Sequence, residues 1–422
     1  MHTIIHGDCL EELKKLEDNS VDAVVTDPPY GLSNTKPKQV ADVLKAWVTG
    51  DTVSVPAKRG GFMGKDWDSF VPPPAVWQEC LRVLKPGGHM AVFAGARTQD
   101  LMGLSIRLAG FEIRDTLGWI YGSGFPKSMD VSKAIDKAAG AEREVIGSGK
   151  SGKTAGMQNL GPSGIAGGEY DITATATDDA ARWDGWGTAL KPAIEPIILA
   201  RKPLDGTVAN NVLAHGVGGL NIDACRVSTD DDTSRPPGRD GGNATWDLSS
   251  REKPSVSHAA GRFPANVLLD EHAAKEMDEQ SGVLKSGART PTGREPKGHV
   301  YGLGHKTSGV NAFAASEGGA SRFFPVFKYQ AKAPKKERPV IEREDGTKIQ
   351  HPTVKPEKLM SWLVELITPP GGVVLDPFAG SGTTLQAAVN KGFTPIGIEQ
   401  DADYIQLINK RLEGGEQSTR NS

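Results

Sequence analysis

Three cysteines in 422 residues, Cys9, Cys80 and Cys225, are too few and too scattered for a disulfide framework, and their spacing fits no metal knuckle. Reduced thiols in a cytoplasm are the expectation. No apolar run is long enough to span a bilayer. The opening Met1-His2-Thr3-Ile4-Ile5 lacks the charged region and long apolar stretch of a secretory signal, so a cytoplasmic location is expected. Basic excess is missing too: the net charge is -3, which advertises no nucleic-acid binder. It excludes none either, because phosphate contact depends on local clusters and not on the sum. There is no internal repeat.

What is present is a globular composition, 37% hydrophobic and 24% charged, in a chain longer than one ordinary core. The N-terminal third alternates strand and helix. Thr3 to Ile5, Val21 to Thr26, Met90 to Phe93 and Phe111 to Tyr121 read as strands. Glu11 to Leu16, Trp77 to Leu84 and Gln99 to Ala109 read as helices, and Lys85-Pro86-Gly87-Gly88 as a turn. From Gly140 to Gly187 the chain is rich in Gly, Ser, Thr and Ala and reads as a mobile loop or insertion. Ile194 to Ala200 is a strand candidate, followed by irregular sequence to about Pro339. The alternation returns with a helix over Lys355 to Ile367, a strand over Gly372 to Leu375 and a helix over Gly380 to Asn390. A strand over Pro395 to Ile398 and a helix over Asp401 to Leu412 complete it. Such units imply a mostly parallel, helix-covered sheet, completed by the two ends with the middle inserted.

Two motifs carry chemistry. Asp27-Pro28-Pro29-Tyr30 directly follows an apolar strand. An exocyclic base amine is a poor nucleophile because its lone pair is delocalised into the ring. A carboxylate, Asp27, and a carbonyl, that of Pro28, can each accept one amine hydrogen and free that pair. Pro28 and Pro29 stiffen the loop, and Tyr30 offers a face on which an extruded base can stack. The second motif runs from Val373 through Asp376-Pro377-Phe378-Ala379-Gly380-Ser381-Gly382-Thr383-Thr384. A buried strand ends there in an acid and a Gly-rich turn, so a ligand can approach the backbone closely at the carboxyl edge of the sheet. The spacing is not that of a dinucleotide fingerprint. Glu399 ends the next strand, where a carboxylate can bind both hydroxyls of a ribose.

Together these motifs resemble the amino-methyltransferases of DNA, and their order, catalytic loop first and cofactor loop last, resembles the beta class. His6-Gly7-Asp8-Cys9 is similar to the family segment whose acid contacts the cofactor adenine. His351-Pro352-Thr353-Val354-Lys355-Pro356 is similar to the segment beside the cofactor's methionine end, where Thr353 and Lys355 hold its carboxylate. The resemblance implies an α/β, Rossmann-like S-adenosylmethionine-dependent fold of seven mostly parallel strands. It implies a catalytic half over 1–203, a target-recognition region over 204–339 and a cofactor-binding half over 340–422. The cofactor set is then Asp8, Cys9, Asp27, Thr353, Lys355, Asp376, Pro377, Phe378, Gly380, Gly382, Thr383, Thr384 and Glu399. It also implies methylation of adenine N6 in double-stranded DNA, since Asp opens the loop more often with adenine and Ser with cytosine N4. Cytosine-N4 methylation, which uses the same amine chemistry, is the alternative, and an RNA or protein-amide methyltransferase and a silent DNA-binding regulator are further ones that the intact motifs and their order argue against. A homodimer is implied by resemblance alone. Nothing in the chain marks a partner restriction endonuclease.

Softer features remain open. Lys328, Lys332, Lys335, Lys336 and Arg338, with Phe327 and Tyr329, form either a solvated basic surface or a phosphate stripe. Lys58, Arg59 and Lys65 accompany Phe62, Trp67 and Phe70, which either pack or close over DNA. His215, Cys225 and His258 lack ligand spacing, and no metal is expected. Gly147-Ser148-Gly149-Lys150-Ser151-Gly152-Lys153-Thr154 fits a phosphate-loop pattern, but no strand-to-helix context surrounds it, so a flexible loop is expected instead.

Overall fold

The structure, a computed structural model, describes residues 2–33, 35–56, 68–122, 128–150, 169–231, 258–286, 316–327, 337–343 and 345–420. Its centre is a nine-stranded sheet. In chain order the strands are β1 (Thr3–His6), β2 (Val21–Thr26), β3 (Leu84–Phe93), β4 (Glu112–Ile120), β5 (Ile194–Arg201), β6 (Val267–Asp270), β7 (Val326–Phe327), β8 (Val373–Asp376) and β9 (Thr394–Glu399). Across the sheet the order is β1-β9-β8-β2-β3-β5-β4-β6-β7. Every neighbouring pair is parallel except the two that β5 makes, with β3 and β4. The seven expected strands are all present, and β6 and β7 come from the stretch read as irregular.

Parallel strands are buried on both faces, which is why β2 is a continuous run without alternation and is buried at every residue. Alternate side chains then serve different layers. Val21 and Val24 join a core with Leu13, Trp77, Met102 and Ile106, under helices Cys9–Leu13, Pro74–Val83 and Gln99–Leu108. Ala23 and Val25 join the other, with Leu359, Leu363 and Ala387, under helices Glu357–Ile367 and Thr383–Asn390. The sheet is thus a middle layer between two helical ones.

Two expectations are corrected. Lys85-Pro86-Gly87-Gly88 does not leave the sheet as a turn but lies inside β3. The pairing jumps from Val21–Leu84 to Ala23–His89, so the extra residues bulge out of the ladder. Gly87 makes that possible at φ +76, and a Cβ there would fall 2.3 Å from the Asn211 amide. The second correction concerns 140–187, which is not wholly loop. Val145–Lys150 and Glu169–Thr173 form an antiparallel hairpin, and Asp178–Arg182 is a short helix. Arg143 ties the hairpin to helix Val131–Ala138, donating to Asp136 at 2.7 Å and to Thr173 at 2.9 Å.

Candidate active site

The topology does the assembling. β1, β9, β8 and β2 are parallel neighbours, so the residues at or just past their carboxyl ends line up along one edge. Those residues are Asp8, Glu399, Asp376 and Asp27. β5 runs the other way, so its beginning, with Glu195, reaches the same edge.

Glu399 is a half-buried carboxylate at the end of β9. One oxygen accepts the Gly380 N–H at 2.8 Å and the other the Asp401 N–H at 2.8 Å. Burial outweighs both hydrogen bonds and pushes its pKa up from 4.5 to about 7. Asp376, buried beside it, accepts the Thr26 hydroxyl at 2.6 Å and the Phe378 N–H at 3.1 Å. Burial pushes its pKa up from 3.8 to about 6 against the hydrogen bonds from Thr26 and Thr384. Between these acids the Gly-rich turn has little room. Gly380 sits at φ +52, and a Cβ there would lie 3.0 Å from His351 Nε2. Gly382 caps helix Thr383–Asn390 in the left-handed region, and Pro377, Thr383 and Thr384 are buried beneath the turn. Phe378 packs its ring 6.2 Å from that of Trp77. Gly380→Ala is expected to cost about 1–2 kcal/mol from the backbone conformation alone and to weaken ligand binding at this turn. Denaturant unfolding and titration calorimetry would measure both effects, and unchanged affinity would mean that no ligand approaches this backbone.

The catalytic-loop residues form a tight polar ring. Tyr30 donates its hydroxyl to Asp27 Oδ1 at 2.8 Å, and Lys355 Nζ donates to Asp27 Oδ2 at 2.7 Å. Lys355 also stands 3.2 Å from Glu195 and lies over the rings of Tyr30 and Phe93 at 5.3 and 4.8 Å. Burial pulls the Lys355 pKa down, but the charges of Asp27 and Glu195 more than reverse it, so the group is raised and stays an ammonium. Burial, with the same two charges, holds Tyr30 as a neutral phenol well above its ordinary range. Pro28 is buried, Pro29 is half-buried, and Thr98 anchors the loop by donating to the Tyr30 carbonyl at 2.6 Å.

Other expected residues are placed as follows. Asp8 caps helix Cys9–Leu13, accepting from the Leu10 N–H at 3.0 Å. Burial pushes the Cys9 thiol up to about 12, which leaves it unreactive. Thr353 is exposed, and its N–H reaches His351 Nδ1 at 3.3 Å. His351 lies edge-on to Tyr404, their ring centroids 4.6 Å apart. Phe70 and Phe327 are buried, packed edge-on against Trp47 and Trp362, so both serve the core. Lys58, Arg59, Phe62, Lys65, Trp67, Lys328, Tyr329, Lys332, Lys335 and Lys336 lie outside the described residues. His215 pairs with Asp205 and His258 with Asp223, while the buried Cys225 thiol donates to the Trp362 carbonyl. Among the described residues no cluster of three metal-ligating groups occurs. The phosphate-loop pattern begins inside the hairpin, where Gly147 to Gly149 pair with an antiparallel strand, and Ser151 to Thr154 lie outside the described residues. Among the described residues no helix is long and apolar enough to cross a membrane.

Sequence reasoning missed Glu195, Thr26 and His351. The signal for Glu195 was an acid inside the otherwise apolar strand candidate Ile194 to Ala200, a costly place for a carboxylate unless it has a partner.

Over 97% of its length the chain is 22% identical to the Type II methyltransferase M.HindIII of Haemophilus influenzae, covering 94% of that protein. It is 46% identical over 63 residues to the DNA adenine methyltransferase YhdJ of Escherichia coli, a stretch covering 15% of this chain and 21% of that one. Among solved structures it aligns with the PvuII DNA methyltransferase (cytosine-N4-specific) at 14% identity and a TM-score of 0.41, over 97% of this chain and 87% of that one. A complex of M1.HpyAVI with SAM aligns at 16% identity and a TM-score of 0.38, over 98% and 99%. The model of the N6/N4 methyltransferase family, described as DNA methylase, matches residues 21–410, and the chain therefore belongs to that family of DNA methylases.

Proposed function

We propose that the chain is a site-specific methyltransferase acting on adenine N6 of duplex DNA, with S-adenosylmethionine as methyl donor. The observation that carries this reading is the placement of Asp27 on the same sheet edge as the buried Asp376 and the half-buried Glu399. The Gly380 turn, where a Cβ would crowd His351, and two acids whose pKa is raised by burial fit an adenosyl ligand. Glu399 would hold the ribose hydroxyls, Asp376, Phe378 and Gly380 would line the ligand, and Asp8 and Cys9 would meet its adenine. Thr353 and Lys355 would face the methionine end. The cofactor supplies an electrophilic methyl group on a sulfonium sulfur.

The protein's share of the chemistry is positioning. The target nucleotide leaves the duplex stack, because its amine is unreachable within it. Asp27 and the Pro28 carbonyl accept the two amine hydrogens, holding the nitrogen lone pair out of the ring. Tyr30 offers its face to the base while its hydroxyl braces Asp27. The adenine reading is supported by Asp at the first loop position and by the similarity over 63 residues to an enzyme named as a DNA adenine methyltransferase. In this reading 1–203 and 340–422 form the catalytic and cofactor-binding halves. Residues 204–339 form the target-recognition region, and the protein works in the cytoplasm on double-stranded DNA.

The test is to express the chain in a methylation-free bacterial host and map modified bases by single-molecule sequencing. N6-methyladenine within one short motif is the expected result. N4-methylcytosine would overturn the adenine assignment, and unmodified DNA would overturn the reading as a whole.

A further inference from the structure

Glu195 is the one acid of the catalytic ring to which the proposed mechanism gives no task. It stands at the start of β5, the reversed strand, and that reversal alone brings it to the edge where Asp27 lies. Its Oε2 is 3.2 Å from Lys355 Nζ and 3.2 Å from the Tyr30 hydroxyl. Each of those groups also contacts Asp27, on different oxygens. Asp27, Tyr30, Glu195 and Lys355 therefore close a ring of mutual contacts. The side chains are well withdrawn from solvent, with exposures of 10% for Lys355, 22% for Asp27 and 23% for Glu195. Charges in such a place are screened little by water.

The count of charges decides what Glu195 does. Asp27 and Lys355 alone would make a neutral ion pair, in which the ammonium draws on the electron density that Asp27 offers to an amine. With Glu195 present the ammonium is shared between two carboxylates, and the ring carries one net negative charge. Methyl transfer to an amine brings positive charge onto the nitrogen, and a preorganised negative centre stabilises that development. A packing role would need neither the carboxylate nor its reach to both neighbours.

We propose that Glu195 is a positioning residue of the methyl-transfer centre, holding Lys355 and Tyr30 in place and keeping the ring negative so that Asp27 can accept the amine. This inference rests on the reading of Asp27 given above. Glu195→Gln keeps the shape and removes the charge. It is expected to lower kcat roughly ten- to a hundredfold, on the scale of losing one electrostatic contact in a dry site. KM for duplex DNA and calorimetric cofactor affinity are expected to stay within about threefold, since uniform binding is not what is lost.

A second readout does not depend on turnover. Lys355 loses one of the two carboxylates that keep it protonated, so its acylation by an amine reagent, followed by mass spectrometry, should be faster in E195Q. The decisive comparison is a double-mutant cycle with K355M. Without the ammonium, Asp27 and Glu195 repel each other, and E195Q should then be neutral or should restore part of the lost turnover. Glu195→Asp, which keeps the charge at a shorter reach, is expected to fall between wild type and E195Q. Wild-type kcat and acylation rate in E195Q would overturn the proposal. So would an equal loss in the K355M background, or E195D no better than E195Q. If Asp27→Ala is inactive while E195Q matches wild type, only this inference fails. If Asp27→Ala is itself active, the assignment of the catalytic loop fails first.

Discussion

Asp27→Ala is expected to lose methyl transfer by on the order of a thousandfold or more, because in the proposed mechanism it removes a fixed acceptor aimed at the reacting nitrogen. The size of the loss follows from how little else the site can offer. In that mechanism positioning is the protein's main contribution, and among the described residues no other carboxylate stands at the end of β2. Glu195 is held at a distance by Lys355 and Tyr30 and reaches Asp27 only through them. The fold should survive, since Lys355 keeps Glu195 as a partner and is not left as an isolated buried charge. Cofactor affinity is expected to change little, because the acids at the Gly-rich turn are untouched. Asp27→Asn, which keeps the shape, separates charge from packing and should be nearly as inactive. Radiolabel transfer to a duplex, with calorimetry on the same preparations, measures both quantities. A variant turning over within tenfold of wild type would remove Asp27 from the mechanism.

The sequence made the chemical ends of strands easy to read and the strands of the middle hard to read, for one physical reason. A strand of the parallel sheet is buried on both faces, so Val21 to Val25 and Val373 to Leu375 stand out as apolar runs. The acids that end such runs are conspicuous because nothing in packing asks for them. β7, Val326–Phe327, is only two residues long and yields no period, whereas β6, Val267–Asp270, carries the same apolar run and closing acid as Val373–Asp376 but stands alone in irregular sequence. Their pairing with β4 and with each other is a tertiary event between segments far apart in the chain. The same limit hid the Lys355 contacts. The segment's likeness to the family pointed to a ligand carboxylate, whereas the structure gives the ammonium two of the protein's own. Local sequence states that a lysine is present near the site. Only the reversal of β5 states which acids meet it.

The bulge at Gly87 shows the opposite failure, a strong local signal with a different meaning. Lys-Pro-Gly-Gly reads as a break, and locally it is one. The flanking residues Leu84 and His89 are both claimed by β2, so the chain stays in the sheet and the extra residues are pushed out of register. Asn211 fills the space beside Gly87, donating to the Pro86 and Val217 carbonyls at 2.8 Å each. The signal marked an irregularity, and burial on both sides decided that it would be a bulge.

Cofactor affinity is expected to fall roughly fourfold as pH drops from 8 to 6.5, following the ionised fraction of a group with pKa about 7, and Glu399→Gln is expected to flatten that dependence. The sign follows from the site. A carboxylate that accepts ribose hydroxyls must be ionised, yet burial holds Glu399 at about 7, well above the ordinary 4.5. Above pH 7 the acceptor is ready, and below it a proton must leave before the ligand binds. The limiting slope, about tenfold in affinity for each pH unit, is approached only below that window. Folding responds to the same group in the opposite sense. A carboxyl whose folded pKa is raised contributes stability that is fully present below about 4.5 and is lost as pH rises through about 7. The charge needed for binding is therefore one that the folded protein holds at a cost, and a ligand that engages it returns part of that cost. Asp376, with a pKa raised to about 6, adds its own proton below the measured window, so the comparison is cleanest above pH 6.5. Glu399→Gln should bind more weakly than wild type at pH 8 and nearly as well at pH 6.5. Titration calorimetry across that range decides the matter, and a variant with the full wild-type slope would move the titrating group elsewhere and take Glu399 off the ribose.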